Sequence, residues 1–137
     1  MDLADATVQR YLATKDVALL ATVNPDGSPL AMPMWFLHNP ATLTMISVAG
    51  LAKVRNLTRD PRVCVVAESG GRGDIRGVAV QGRAEFLDDS PERRALVERF
   101  LDKYDPHLAK LWNGRVMPPT RVMFRIVPSH VRSWGLG

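Results

Sequence analysis

Two short runs, Val17-Ala18-Leu19-Leu20-Ala21-Thr22-Val23 and Arg62-Val63-Cys64-Val65-Val66-Ala67, are largely apolar on both of their alternating faces. Successive side chains of a strand point to opposite sides of its sheet, so such runs have to be covered twice. A lone small barrel covers only the inner side. Either helices or a second subunit must lie over the outer side, and the surplus favours a dimer.

Strands and turns alternate through most of the chain. Asn24-Pro25-Asp26-Gly27 is a turn in which Gly27 tolerates positive φ, and it sends the chain back along 29–38. Pro33 cannot donate a ladder hydrogen bond, which makes this strand an edge or a bulged one. A turn at 38–42 leads into a strand over 43–48. A helix over 51–60 stops at Asp60-Pro61, because the residue before proline disfavours helical backbone.

Beyond strand 62–67, the Gly-rich turn Ser69–Asp74 precedes a strand over 77–87 with Val78, Val80, Gly82, Ala84 and Phe86 inward. Ser90-Pro91-Glu92 combines an N-cap, a first-turn proline and a first-turn acid. The helix it starts has Leu96, Val97, Phe100, Leu101 and Tyr104 as its core stripe, with another turn or two over 107–112. A last strand covers 120–127, and a short helix over 3–14 leads the chain. Six strands joined by hairpins and a few short helices predict a mainly β, six-stranded antiparallel barrel, in one domain over 1–137.

The single cysteine, Cys64, excludes an intramolecular disulfide and fits a reducing, cytoplasmic setting. It sits in an apolar run and is expected to be a buried, inert thiol. No run of about 18 apolar residues suggests a membrane span, and the acidic N-terminus is unlike a signal peptide. The formal net charge of +4 allows an anionic partner or a solvated basic surface. Nucleic acid is disfavoured, since basic and aromatic residues do not interleave and no recognition-helix motif is present.

Chemistry concentrates at the helix that opens after Ser47-Val48-Ala49-Gly50. Lys53 lies in its first turn, followed by Arg55 and Asn56. Free backbone N–H groups at a helix start, small residues and a lysine together suit an anion such as a phosphate. The same residues also fit a solvated amphipathic helix with Leu51, Val54 and Leu57 packed inward, and spacing alone leaves both readings open. The glycines of 69–74 lack the spacing and the strand-to-helix context of a phosphate loop, so a hairpin turn is expected there. His38, His107 and His130 have no metal-ligand spacing, and no nucleophile–histidine–acid motif occurs. No metal site and no catalytic side chain is assigned. Trp35, Trp112 and Trp134 offer flat walls for a planar ring, or core and interface packing.

The stretches LATVNPDGSPLAMPMWF, SVAGLAKVRNLTRDPRVCVV, VAVQGRAEF and VMFRIVPSHVRSW together resemble the split β-barrel flavin and deazaflavin oxidoreductases, the pyridoxamine 5'-phosphate oxidase-like superfamily. The resemblance runs over about residues 10–134, and its most specific element is Ala52–Val63. It implies an FMN-binding-type split barrel and a homodimer with cofactor sites at the subunit interface. It also implies that Lys53 holds the cofactor phosphate, with Ser47 and the backbone of Ala49 and Gly50 assisting. Arg55 and Asn56 match motif positions and either join in or buttress the helix.

The second strand carries no cation, and Ala52 precedes Lys53, a pattern that looks more like the coenzyme F420 branch than the FMN-dependent oxidases. The expected activity is therefore an F420-dependent oxidoreductase passing hydride between the deazaflavin and a planar, hydrophobic small-molecule acceptor. Met34, Trp35 and Trp134 are the residues expected at the ring and acceptor. The alternatives are an FMN-binding flavoprotein of the same superfamily and a cofactor-binding module without turnover.

Overall fold

The computed structural model describes residues 2–137. In chain order the elements are α1 (Ala6–Leu12), β1 (Val17–Val23), β2 (Pro29–Trp35), β3 (Leu37–His38), β4 (Leu43–Val48), α2 (Ala52–Arg59), β5 (Arg62–Glu68), β6 (Gly77–Leu87), α3 (Pro91–Lys103), α4 (His107–Trp112) and β7 (Arg121–Trp134). The seven strands form one antiparallel sheet in the order β2-β1-β5-β6-β7-β4-β3.

The two ends of that order are neighbours in sequence. β2 and β3 are halves of a single segment, separated only by Phe36. The first half pairs with β1, Trp35 opposite Val17, and the second with β4, Leu37 opposite Thr44. The sheet is therefore curled until one segment reaches both of its edges. The expected count of six strands becomes seven because 29–38 does not run through as one.

The reason lies in α3. The hydroxyl of Tyr104, its C-cap residue, accepts the Phe36 N–H at 2.8 Å, and the Phe36 carbonyl accepts from Lys103 Nζ at 2.7 Å. Side chains thus take the backbone groups that a continuous strand would have given to its ladder. Pro33 lies on β2, an edge strand, as its missing N–H requires.

Local signals set most boundaries. Asp5 caps α1 by accepting from Thr7 N at 2.8 Å, and Ser90 caps α3 by accepting from Arg93 N at 3.1 Å with Pro91 in the first turn. Gly27, at φ 86°, closes the β1–β2 turn, where its N–H donates to Asn24 O at 2.9 Å.

There are two cores. The first lies inside the curl and includes Leu20, Phe36, Leu43, Met45, Phe124 and Ile126. The second lies outside it, where Phe100, Leu101, Tyr104 and Trp112 of the α3–α4 region cover Leu37 and Met123. Adjacent β7 residues Met123 and Phe124 are thus both buried, one on each side of the sheet. Phe86, expected inward, is 40% exposed and meets Phe124 edge-on with centroids 6.0 Å apart.

Among the described residues no element covers the outer face of β1 and β5. Val17 and Leu19 are 45% and 43% exposed. The ladder register sets Leu19 beside Pro33 and Val66, and Ala21 beside Ala31 and Cys64. The Cys64 thiol is therefore half-buried on this face rather than enclosed, and burial still pushes its pKa up.

Candidate functional site

A cavity of about 320 Å³ opens where β2, β4, α2, α4 and the start of β7 converge. Met34 and Trp35 come from β2, Ser47 and Val48 from β4, Lys53 from α2, Trp112 from α4 and Arg121 from β7. Its walls are mostly apolar or aromatic. Its charged groups are Lys53 and Arg121, and no carboxylate is among the lining residues.

The turn that enters α2 explains how Lys53 comes here. Ala49 donates its N–H to Thr120 O at 2.8 Å, tying the end of β4 to the segment before β7. Gly50, at φ 84°, then reverses the chain in a conformation that a side chain would strain. Leu51 stands at the N-cap with no side-chain cap and no acid in the first turn, so the positive end of the helix is left uncompensated. Lys53 makes no hydrogen bond or ion pair among the described residues, and its partial burial lowers the ammonium pKa. Arg121 pairs in the ladder with Val48 and donates only to the Thr120 hydroxyl, at 3.0 Å. Two cations without acidic partners facing an apolar cavity make a place for an anion attached to an apolar body.

Trp35 is fixed from behind. Its ring stacks on Tyr104 at 4.3 Å and 5°. Tyr104 is anchored in turn by donating to Asp16 O at 2.7 Å, and burial raises its phenol to about 12. A tryptophan held this way offers a rigid wall to a planar ring.

Of the residues predicted from sequence, Met34, Trp35, Ser47 and Lys53 share the cavity. Ala49 and Gly50 form the adjoining turn. Ser47 is buried, with its hydroxyl donating to Val48 O at 3.2 Å. Arg55 folds back onto the turn, donating to Gly50 O at 2.6 Å. Asn56 is buried and donates to Thr22 Oγ1 at 3.0 Å and Asn24 Oδ1 at 2.9 Å, pinning α2 to β1. Both buttress the helix. Trp134 is not brought to this cavity: β7 carries it to the far end of the β6 ladder, where its ring lies over Gly77 so closely that a Cβ there would meet it at 2.1 Å.

Arg121 and Trp112 were missed as a pair with this site. Arg121 reads as one residue of an alternating strand, and Trp112 as either a flat wall for a ring or a core residue. The return of β7 alongside β4 brings Arg121 to the cavity of Lys53, and α4 brings Trp112.

Among the described residues no group of His, Cys, Asp or Glu could hold a metal ion, and no helix is long and apolar enough to cross a membrane.

The family model for pyridoxamine 5'-phosphate oxidase matches residues 4–135. No curated protein matches the chain. Solved structures do. A conserved hypothetical protein of Mycobacterium tuberculosis is 27% identical over 96% of this chain and 84% of its own, with a TM-score of 0.80. A FAD-binding protein of Mesorhizobium loti is 27% identical, covering 91% of this chain and 87% of its own, with a TM-score of 0.71. An F420 reductase is 25% identical over 85% of this chain and 88% of its own, with a TM-score of 0.61.

Proposed function

Because the chain belongs to the pyridoxamine 5'-phosphate oxidase family, we propose that it is an oxidoreductase holding coenzyme F420 in the cavity of Lys53 and Trp35, in a homodimer. The observation that carries this reading is a cavity with aromatic walls, two cations and no carboxylate. The chemistry of that lining fits a planar ring with an anionic tail. Likeness to an F420 reductase and to a FAD-binding protein supports a cofactor of flavin type. The absence of any cation on β2 favours the deazaflavin over FMN.

Lys53 and Arg121 would hold the anionic end, and the unspent N–H groups at the start of α2 add to their field. Met34, Trp35 and Trp112 would border the ring and exclude water beside it. When bound, the cofactor supplies hydride transfer to an electron-poor acceptor. The lining holds no His, Asp, Glu, Cys or Tyr, so the protein's own part is binding, orientation and exclusion of water. An apolar, planar acceptor suits these walls better than a small polar acid does.

The dimer follows from the uncovered face. Val17, Leu19, Ala31, Pro33, Cys64 and Val66 form an apolar centre, with charged Arg62, Arg83 and Glu68 at its margin, the anatomy of an interface. Pro33 belongs both to this face and to the cavity lining, so a second copy seated here would border the cofactor.

Titration of the purified protein with F420 and with FMN tests the reading. F420 is expected to bind the more tightly, and its reduced form to be reoxidised when a quinone probe is added. Lys53→Ala should weaken binding by about 1.5–3 kcal/mol, roughly ten- to hundred-fold in Kd. FMN released from the purified protein would reverse the choice of cofactor. Binding without reoxidation would make this a carrier module.

A further inference from the structure

A second cavity, of about 350 Å³, lies on the opposite side of the Phe36 break from the first, between the end of α1, β3 and α3. His38, Arg99, Asp102 and Lys103 line it, with Ala13 and Leu37. The arrangement of hydrogen-bonding groups is unusually well determined. Gln9 spends its amide N–H groups on Leu3 O at 2.8 Å and Asn39 O at 3.0 Å, which leaves its oxygen as the group facing His38 Nδ1 at 2.8 Å. An amide oxygen only accepts, so Nδ1 carries the proton. Nε2 of the neutral ring is then an acceptor, and it has no partner among the described residues. Burial, Lys103 and Arg99 all lower the imidazole pKa, which keeps the ring neutral.

The donors are equally underused. Arg99 is exposed, and its guanidinium has only a 3.4 Å contact to His38 O. Lys103 gives one N–H to Phe36 O at 2.7 Å and has no carboxylate within ion-pair distance, while its Nζ sits 4.0 Å from the Phe36 ring centroid. Burial brings the Lys103 ammonium down to about 8, Asp16 pulling it up and Arg99 pushing it further down. Asp102, the lining acid, contacts Arg115 at 3.4 Å instead. A fixed acceptor therefore lines the same cavity as two cations with spare donors, both close enough for their charge to act on the imidazole.

We propose that this cavity is a binding site for inorganic phosphate. Oxygens of the anion accept from Arg99 and Lys103, and the P–O–H that inorganic phosphate retains at neutral pH donates to His38 Nε2. Sulfate has no such proton. A phosphate monoester loses its last one near a pKa of about 6. The acceptor-only histidine thus selects inorganic phosphate against both, because each would set a lone pair against a lone pair.

The test follows the His38 ring signals by NMR at neutral pH while phosphate, sulfate or glycerol phosphate is added. The His38 signal reports this cavity and not the one at Lys53. Phosphate should shift it saturably, with sulfate and the monoester at least tenfold weaker. Arg99→Gln, a surface change, should weaken phosphate about tenfold without altering the melting temperature in its absence. Lys53→Ala should leave the titration as it was. No saturable shift, equal binding of sulfate, or indifference to Arg99→Gln would each overturn the proposal.

Discussion

The outer faces of β4–β7 and of β1–β5 begin with the same problem and meet it differently. Both present apolar side chains away from the curled interior. Over β4 and β7, the α3–α4 region completes a second core, and Met123 is 0% exposed. Over β1 and β5 the described residues place no helix, and Leu19 is 43% exposed. Both faces run up to the Lys53 cavity, the first through Trp112 and Phe100, the second through Pro33. One face is largely buried and the other bare, and the proposed dimer would set a second copy's matching surface on the bare one.

The sharpest way to break the contrast is to damage the covered face. Phe100→Ala removes a side chain that is 2% exposed from the outer core. It should cost about 3–5 kcal/mol of stability, read by denaturant unfolding. It should also loosen Trp35, since Phe100 packs 6.3 Å from Tyr104, on which Trp35 stacks. A loss below about 1 kcal/mol would mean that α3 is not a structural cover.

Arg121→Gln tests whether the covered side also supplies charge to the cavity. The expected result is a five- to tenfold weaker hold on F420, roughly 1–1.4 kcal/mol, with an unchanged melt. That is less than for Lys53→Ala, because Arg121 stands beside the helix start rather than on it. Unchanged affinity would remove Arg121 from the site.

The clamp on Phe36 has a pH signature. Lys103 titrates near 8 in the folded chain against an ordinary 10.5, so the unfolded chain holds more protons between those values. Stability should therefore rise with pH through that window, Lys53, also lowered, adding in the same direction and Cys64, raised from 9.0, opposing it in the upper part. Tyr104, raised to about 12 from 10.0, works oppositely, because the unfolded phenol ionises first. Stability should then fall above about pH 10. Lys103→Met should flatten the rise and keep the fall, and melts across pH 7–11 check both.

The smallest effect is expected at the hairpin. A Cβ at Gly71 meets only Asp74 Cβ, at 3.9 Å. Gly71→Ala should leave F420 affinity within a few-fold. A large selective loss there would mean that this turn folds over the cofactor.

Much of this was legible in the residues because it rests on local chemistry. The caps at Ser90 and Asp60-Pro61, the Gly27 turn and the restriction of Pro33 to an edge or a bulge all act within a few residues. The demand for cover over 17–23 and 62–67 was legible as well, from two-sided apolarity. What escaped depends on distant partners. The break at Phe36 is made by Tyr104 and Lys103, some 68 and 67 residues away. Val17 to Val23 gave no sign that the helices would settle over β4 and β7 instead. At the candidate site, Lys53 was visible from the helix start, whereas Arg121 acquires its place only through the β4–β7 register. Spacing left Asn56 either joining the cofactor or buttressing the helix, because the Thr22 and Asn24 that take its amide N–H groups lie 34 and 32 residues away.

The most direct measurement is sedimentation equilibrium of the wild type and Leu19→Asp at micromolar concentration, each paired with an F420 titration. A wild-type dimer is expected. Leu19→Asp, placed on the exposed face, should remain folded but monomeric and bind F420 at least tenfold more weakly. A wild-type monomer that binds F420 as tightly as before, or a Leu19→Asp monomer with full affinity, would contradict the claim that the bare face and the cavity work together.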